Sequence, residues 1–235
     1  MKEYLFFGDS FTYGQDAEDE KSTWPYHYLS MIGKQDANYA IRAKPGQSNS
    51  GMFLDILESY QNKELDKDTT VLVGLTNVYR DCTTISTKPG YHRFQNHKYH
   101  SVNAHIDSKD KVLNTYKDSF ILEKDWMLYV KALQYVYSIE NLLNKIGCKF
   151  YLIDVILSYD GCRDALEIDW DLFKNFITSP YDNKWNAGPP LSIYHYMLEE
   201  LDTPLSSSKH FYSEGYHSMA KVIKDQIDKY EKNYS

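Results

Sequence analysis

Residues 3–14 read EYLFFGDSFTYG, and this stretch indicates the fold more clearly than any other part of the chain. Glu3–Phe7 is a short aromatic and aliphatic run that ends abruptly at Gly8. Such a run, followed by Gly-Asp-Ser, predicts a buried strand that enters a tight turn. A serine hydroxyl is a weak nucleophile that needs an exposed position near a base and near donors for an oxyanion. This turn can provide that position, so Ser10 is the first candidate functional residue.

The rest of the chain is predicted to alternate strands and helices. Thr69–Leu75 (TTVLVGL) is β-branched and apolar throughout, which is typical of a central strand. Further strands are predicted at Asn38–Ile41 and Lys149–Ile156, and helices after Thr23, around Met52–Leu57, over Lys124–Ile146 and from Gly215 onward. This order predicts an α/β fold with a mainly parallel sheet.

The 235 residues fit one domain (1–235) better than two. Two stretches, around 79–120 and around 160–205, carry little periodicity and are predicted to be irregular insertions. Long irregular stretches inside a compact domain are usually lids, insertions or flexible segments. We expect the first insertion to cover the site and to favour a polar substrate over a long lipid chain.

Composition excludes several classes of partner. A net charge of −7 provides no basic field for a nucleic-acid backbone. No stretch approaches the roughly 20 apolar residues of a membrane helix. The N-terminus does not have the pattern of a signal peptide, so we expect a cytoplasmic protein, and the short aromatic-rich chain suggests a phage or mobile element. The 22 tyrosines allow a surface on which sugars stack.

The cysteines and histidines do not predict a metal site. Three scattered cysteines without CxxC spacing read as reduced thiols; they are Cys82, Cys148 and Cys162. Four histidines in the first insertion share no regular spacing with a carboxylate or a cysteine and read as solvated loop residues; they are His92, His97, His100 and His105. We therefore expect neither a metal nor an organic cofactor.

Four spaced blocks together resemble the SGNH/GDSL hydrolase family. They begin at Gly8 (GDSFTYG), Pro45 (PGQSN), Val71 (VLVGLTN) and Lys209 (KHFYSEGYH), and they cover the first third of the chain and its C-terminal end. The resemblance implies a three-layer α/β/α sandwich with a parallel, flavodoxin-like sheet. It also implies that Ser10 is the nucleophile and that the Ser10 N–H is one oxyanion donor.

The second and third blocks supply the other candidate oxyanion donors. Gly46 matches the glycine whose N–H is the family's second donor, and it also suits a turn that needs positive φ. The family's third block is Gly-x-Asn-Asp, whereas this chain has Gly74-Leu75-Thr76-Asn77. The asparagine is one position late and the aspartate is absent, so either Asn77 or Thr76 would complete the hole.

The last block of the family is Asp-x-x-His before a C-terminal helix. Aligning that helix on Gly215 makes His210 the catalytic histidine and puts Ser207 where the family has aspartate. An aspartate there normally orients the imidazole. Without it the site would use a backbone carbonyl, borrow Asp202, or be impaired. A rival alignment uses the acid at the correct spacing in Glu214-x-x-His217.

The resemblance therefore predicts a carboxylic-ester hydrolase, an esterase or deacylase acting through a Ser–His site and an acyl-enzyme. Its substrate would be a small-molecule or glycan ester carrying an acetyl or acyl group. One alternative is a catalytically impaired ligand-binding protein on the same fold. Another is an acyltransferase, in which a bound alcohol replaces water at the acyl-enzyme.

Overall fold

The computed structural model describes residues 2–77, 80–85, 98–103, 125–156, 175–180 and 192–234. Its strands are β1 (Tyr4–Gly8), β2 (Tyr39–Ala43), β3 (Thr70–Leu75), β4 (Arg80–Ile85), β5 (Lys98–Asn103), β6 (Lys149–Asp154) and β7 (Phe176–Ile177). Its α-helices are α1 (Ser10–Tyr13), α2 (Trp24–Met31), α3 (Asn49–Gln61), α4 (Asp125–Ile146), α5 (Ile193–Glu199) and α6 (Ser213–Tyr234). A 3-10 helix spans Glu20–Ser22.

Five strands form one sheet in the order β2-β1-β3-β6-β7, and every neighbouring pair is parallel. Strands β1 and β3 are buried almost throughout, as expected of central parallel strands. This arrangement confirms the predicted α/β class and the parallel sheet. In such sheets ligand sites form at the carboxyl ends of the strands, and β1 and β3 reach that edge side by side.

Side chains of the sheet alternate between two apolar layers. Leu5 and Val73 face a core shared with α3 and α4, whereas Phe6 and Leu72 face a second core shared with α2, α5 and α6. Helices therefore cover both faces of the sheet, which is the three-layer sandwich that the family resemblance implied. The second core includes the fully buried Trp24, whose ring meets that of Phe6 edge to face.

The helix boundaries follow local signals in the sequence. Helix α2 begins after Thr23 with a proline in its first turn, as predicted. Helix α3 begins after Ser48, whose hydroxyl accepts a hydrogen bond from the Gly51 N–H. Helix α4 ends at Ile146, and the next residue, Gly147, has a φ of 79°, the left-handed conformation that glycine favours after a helix.

The two stretches predicted to be irregular contain regular structure. In the first, β4 and β5 pair as an antiparallel two-stranded sheet, with Arg80 opposite Asn103. In the second, β7 joins the main sheet and α5 packs against α6. Periodicity did not indicate β4 and β5 because RDCTTI and KYHSVN lack the apolar alternation of a half-buried strand, whereas a ladder requires only backbone groups.

Residues 86–97, 104–120, 160–174 and 181–191 of these stretches lie outside the described residues, and they include His92, His97 and His105. Within the described part of the chain, no three His, Cys, Asp or Glu side chains are grouped as metal ligands would be. Cys148 is a buried free thiol, and burial raises its pKa to about 11. No helix among the described residues is long and apolar enough to cross a membrane.

Candidate active site

Ser10 lies where β1 turns into α1. Asp9 caps this short helix, because its carboxylate accepts a hydrogen bond from the Phe11 N–H at 3.0 Å. Ser10 is the first helical residue, so its N–H has no acceptor within the helix. The helix ends after one turn at Gly14, whose φ is 81°. The predicted strand-to-turn transition is therefore present, with the serine at the carboxyl edge of the sheet.

Two glycines make room for this turn. A Cβ atom on Gly8 would lie 2.1 Å from the Thr12 hydroxyl oxygen, and a Cβ atom on Gly74 would lie 2.4 Å from the same atom. Thr12 is fully buried. Its side chain occupies the space that two ordinary residues on β1 and β3 would need, so α1 can pack tightly onto the strand ends.

A buried polar network joins the serine turn to the end of β3. The Thr76 hydroxyl donates to Asp9 at 2.8 Å. The side chain of Asn49 donates to the Thr76 carbonyl at 2.8 Å and accepts from the Thr76 N–H at 3.0 Å. The single hydroxyl proton of Thr76 is thus directed at Asp9, which favours Asn77 over Thr76 as the candidate oxyanion donor.

The structure brings His210 to Ser10, although the two residues are 200 positions apart. Nε2 of His210 lies 2.7 Å from Oγ of Ser10. The imidazole ring packs against Phe11 with ring centroids 4.8 Å apart. Its loop is closed by a hydrogen bond of 2.8 Å from the Ser206 N–H to the His210 carbonyl. This is the contact expected between a nucleophile and its base.

His217 lies elsewhere. It is exposed on α6, and its ring meets that of His27 on α2 edge to face, with centroids 4.9 Å apart. Burial lowers the pKa of His27, and the charge of His217 lowers it further. The alignment based on Glu214 and His217 therefore does not supply the base near Ser10.

Among the described residues, the Nδ1 atom of His210 meets the hydroxyl group of a serine. It lies 2.9 Å from Oγ of Ser208. Ser208 in turn donates to Oδ2 of Asp16, and Ser206 donates to the same oxygen. These hydrogen bonds hold the pKa of Asp16 below its ordinary value, and the nearby His210 charge contributes in the same direction. The group behind the imidazole is therefore Ser208 with Asp16, not Ser207 or Asp202.

Sequence reasoning missed Ser208 and Asp16. Asp16 follows the serine turn and has a φ of 68°, so the chain bends back toward the histidine loop there. The signals available were the three consecutive serines before the histidine and the polar residues after Gly14. Asp16 and Ser208 both lie outside the four blocks that carry the family resemblance, so no local pattern connects them.

Gly46 lies in a tight turn after β2. Its φ is 75°, and a Cβ atom there would meet nothing within 4 Å, so the conformation rather than crowding favours glycine. The Lys44 N–H donates to the Gly8 carbonyl at 3.2 Å, which ties the turn to the end of β1. Lys44 and Gln47 both donate to Asp55 on α3. Burial raises the pKa of Asp55 and Lys44 opposes that shift.

A groove of about 530 Å³ lies beside α1. Its walls include the rings of Tyr13 and Tyr39 and the side chains of Asp19 and Glu20. Tyr13 follows Ser10 by one helical turn and is 53% exposed. Tyr39 is half-buried and its hydroxyl donates to Glu20 at 2.7 Å. An exposed tyrosine ring beside acidic groups is suited to binding a sugar or another polar ring.

No protein-family model matches the sequence, and no curated protein sequence matches it. Solved structures do match the fold. The psychrotrophic esterase EstA from Pseudoalteromonas sp., in a structure inhibited by monoethylphosphonate, superposes with a TM-score of 0.53 at 12% identity, and the match covers 98% of each chain.

Two further structures match over nearly the whole chain. A catalytic mutant of the acetylxylan esterase Axe2 from Geobacillus stearothermophilus has a TM-score of 0.51 at 12% identity, covering 96% of this chain and 94% of that one. A protein described as a lipolytic member of the G-D-S-L family, from Desulfitobacterium hafniense, has a TM-score of 0.50 at 12% identity, covering 96% and 99%. The chain therefore has the SGNH/GDSL hydrolase fold.

Proposed function

We propose that this chain is a serine hydrolase that cleaves the ester bond of a small-molecule or glycan ester through an acyl-enzyme on Ser10. The observation that carries the proposal is the 2.7 Å contact between Nε2 of His210 and Oγ of Ser10. The contact lies at the carboxyl edge of a parallel sheet, where α/β folds form their ligand sites. The fold similarity to two esterases gives independent support.

The proposed reaction has two steps. In the first, His210 accepts the hydroxyl proton of Ser10 while Oγ attacks the ester carbonyl carbon. The resulting tetrahedral intermediate collapses, and His210 returns the proton to the departing alcohol. In the second, His210 takes a proton from the water that attacks the acyl-enzyme. It then returns that proton to Oγ of Ser10 as the C–O bond breaks, which releases the acid and regenerates Ser10.

The negative charge of the tetrahedral intermediate needs nearby donors. We assign the N–H groups of Ser10 and Gly46 and the side chain of Asn77 to this role. Removing one donor of this kind typically costs about 3–4 kcal/mol of barrier. The hydrogen bonds that hold the Gly46 turn and the Thr76 backbone would pre-position these donors before substrate binds.

A polar substrate suits the described surface better than a long acyl chain. The groove beside α1 carries Tyr13, Tyr39 and two carboxylates, which can bind the hydroxyl groups and the ring faces of a sugar. The acetylated sugar would extend from Ser10 along α1 toward Tyr13. On this proposal the protein resembles Axe2 in substrate class as well as in fold.

The test is a hydrolysis panel with 4-nitrophenyl acetate, 4-nitrophenyl palmitate and an acetylated xylo-oligosaccharide. We expect turnover of both acetyl esters by the wild type, little turnover of the palmitate, and none by Ser10→Ala. Tyr13→Ala should raise KM for the oligosaccharide and leave 4-nitrophenyl acetate unchanged. Binding of the acetylated sugar without turnover would instead indicate a ligand-binding protein. Transfer of the acetyl group to an added alcohol in preference to water would indicate an acyltransferase.

A further inference from the structure

We propose that Ser208 and Asp16 act together as positioning residues that replace the carboxylate missing at position 207. Ser208 holds the imidazole of His210, and Asp16 fixes the direction in which the Ser208 hydroxyl points. This inference rests on the proposed hydrolase function, and it extends the site from a pair of side chains to a chain of four.

Counting protons fixes the direction of each hydrogen bond between these four side chains. An ionised carboxylate can only accept, so the Ser208 hydroxyl must donate its single proton to Asp16. The oxygen of Ser208 then has only lone pairs to offer His210, so Nδ1 of His210 must carry a proton and donate it. That tautomer leaves Nε2 unprotonated, facing the hydroxyl of Ser10.

This is the tautomer that a general base requires. In a conventional triad an aspartate selects it by accepting directly from Nδ1. Here the carboxylate selects it through one intervening hydroxyl. When His210 takes the proton of Ser10, both ring nitrogens carry protons, and the lone pairs of Ser208 and the charge of Asp16 stabilise the cation. No proton moves to Ser208 or Asp16 at any step.

Hydrogen bonds within the loop that carries His210 keep Ser208 and the imidazole in place. The hydroxyl oxygen of Ser206 accepts hydrogen bonds from the N–H groups of Ser208 and His210, at 3.2 and 3.3 Å, while its proton is donated to Asp16. Lys209 takes a left-handed φ of 66°, which lets the loop return toward Phe211. Asp16 thus binds two hydroxyl groups of one loop and fixes that loop against the serine turn.

Solvent limits how much Asp16 can stabilise the protonated imidazole of His210. Its side chain and that of Ser208 are exposed, so water screens the charge. Neutralising an acid that touches the imidazole directly can lower kcat by about 10⁴-fold. For an exposed acid acting through a hydroxyl, we expect a fall of roughly 10- to 100-fold.

The variants that test the proposal are Ser208→Ala, Asp16→Asn and, as the conservative change, Ser208→Thr. Asparagine tolerates the left-handed conformation at position 16. Its amide can donate to Ser208, which then donates to Nδ1 and leaves the proton of His210 on Nε2, the wrong tautomer for a base. Ser207→Ala is the matched control, because Ser207 is an exposed neighbour in the same loop.

The readouts are kcat and KM for 4-nitrophenyl acetate across pH, with thermal unfolding to verify folding. Ser208→Ala and Asp16→Asn should lower kcat 10- to 100-fold with little change in KM, whereas Ser208→Thr and Ser207→Ala should stay within about threefold of wild type. In Asp16→Asn the acidic limb of the pH profile should move to lower pH, because the carboxylate no longer favours the imidazolium. A purely structural role would lower activity without moving that limb.

Failure of the hydrolase proposal and failure of the Ser208–Asp16 proposal would give different results. A folded wild type that neither hydrolyses the ester nor reacts with a fluorophosphonate would refute the hydrolase proposal itself. An active wild type with unchanged kcat in Ser208→Ala or in Asp16→Asn would overturn the relay and leave the hydrolase proposal standing. A Ser208→Thr variant as slow as Ser208→Ala would also overturn it, because the hydroxyl is then not the group that matters.

Discussion

The hydroxyl group of Thr76 donates a hydrogen bond to the carboxylate of Asp9 across 2.8 Å, and both side chains are fully buried. This bond joins the end of β3 to the turn that carries Ser10. The same carboxylate caps α1 through the Phe11 N–H. The position of the candidate nucleophile therefore depends on a residue of another strand as well as on its own turn.

Replacing Thr76 with valine should destabilise the fold. The substitution keeps the shape of the side chain but leaves one oxygen of the buried Asp9 carboxylate without this donor. Loss of a hydrogen bond to a buried charged group costs roughly 1.5–3 kcal/mol. Urea unfolding should show that Thr76→Val lowers the free energy of unfolding by about that amount. Thr70→Val, at the half-buried start of the same strand, should lower it less. Equal decreases for the two variants would contradict a stabilising role of the hydrogen bond between Thr76 and Asp9.

Gly74→Ala should be destabilising because its new methyl group would lie 2.4 Å from Oγ1 of Thr12. Overpacking of this kind costs about 1–3 kcal/mol. Thr12→Ala removes the obstructing oxygen, so the double variant should be more stable than the sum of the two single changes predicts. A double-mutant cycle by urea unfolding measures this coupling, and additive effects would contradict the proposed clash.

Asp55→Ala should slow turnover without a large change in KM. The buried Asp55 accepts hydrogen bonds from Lys44 and Gln47, on either side of Gly46. Removing it loosens the turn that would present the Gly46 N–H to the oxyanion. Since outright loss of such a donor lowers kcat by about 10²–10³, we expect a fall of about tenfold. Glu58→Ala, at an exposed position of the same helix, is the control and should leave kcat unchanged.

His27 should make stability depend on pH near neutrality. Burial, with a contribution from the charge of His217, lowers the pKa of His27 in the folded protein below the unfolded value of about 6.5. The unfolded chain therefore binds the proton more tightly. Stability is fully present above pH 6.5 and decreases as the pH falls from 6.5 through the folded pKa.

Thermal melts of His27→Gln and His217→Gln at pH 7.5 and 5.5 test this. The fall in Tm between the two pH values should be smallest in His27→Gln. It should be intermediate in His217→Gln, which removes the neighbouring charge but leaves His27 buried. The same pH dependence of Tm in the wild type and both variants would contradict the lowered pKa of His27.

Much of the fold and part of the site could be predicted from the sequence. The strand around Phe6 and the central strand around Val73 carry continuous apolar runs, and the caps of α2 and α4 are local signals. Ser10 and His210 could be paired because the sequence blocks around them resemble those of the SGNH/GDSL family. Local patterns of this kind depend on neighbours in sequence, so they can be recognised without the fold.

The groups near Nδ1 of His210 could not be predicted from local sequence patterns. Asp16 and Ser208 are 192 positions apart and meet only because the loop after α1 and the loop before α6 reach the same edge of the sheet. Likewise, the hydrogen bond that commits the Thr76 hydroxyl to Asp9 exists only in three dimensions. Contacts between loops depend on where the strands place those loops, and no local periodicity records that.

The most direct test of the proposed Ser10–His210 pair is covalent labelling by a fluorophosphonate probe, read by intact mass and located by peptide mapping. The wild type should gain one label on Ser10, Ser10→Ala should gain none, and His210→Ala should react at least about a hundredfold more slowly. His217→Ala should react like the wild type. A folded wild type that gains no label, or a His210→Ala variant that labels at the wild-type rate, would contradict the account.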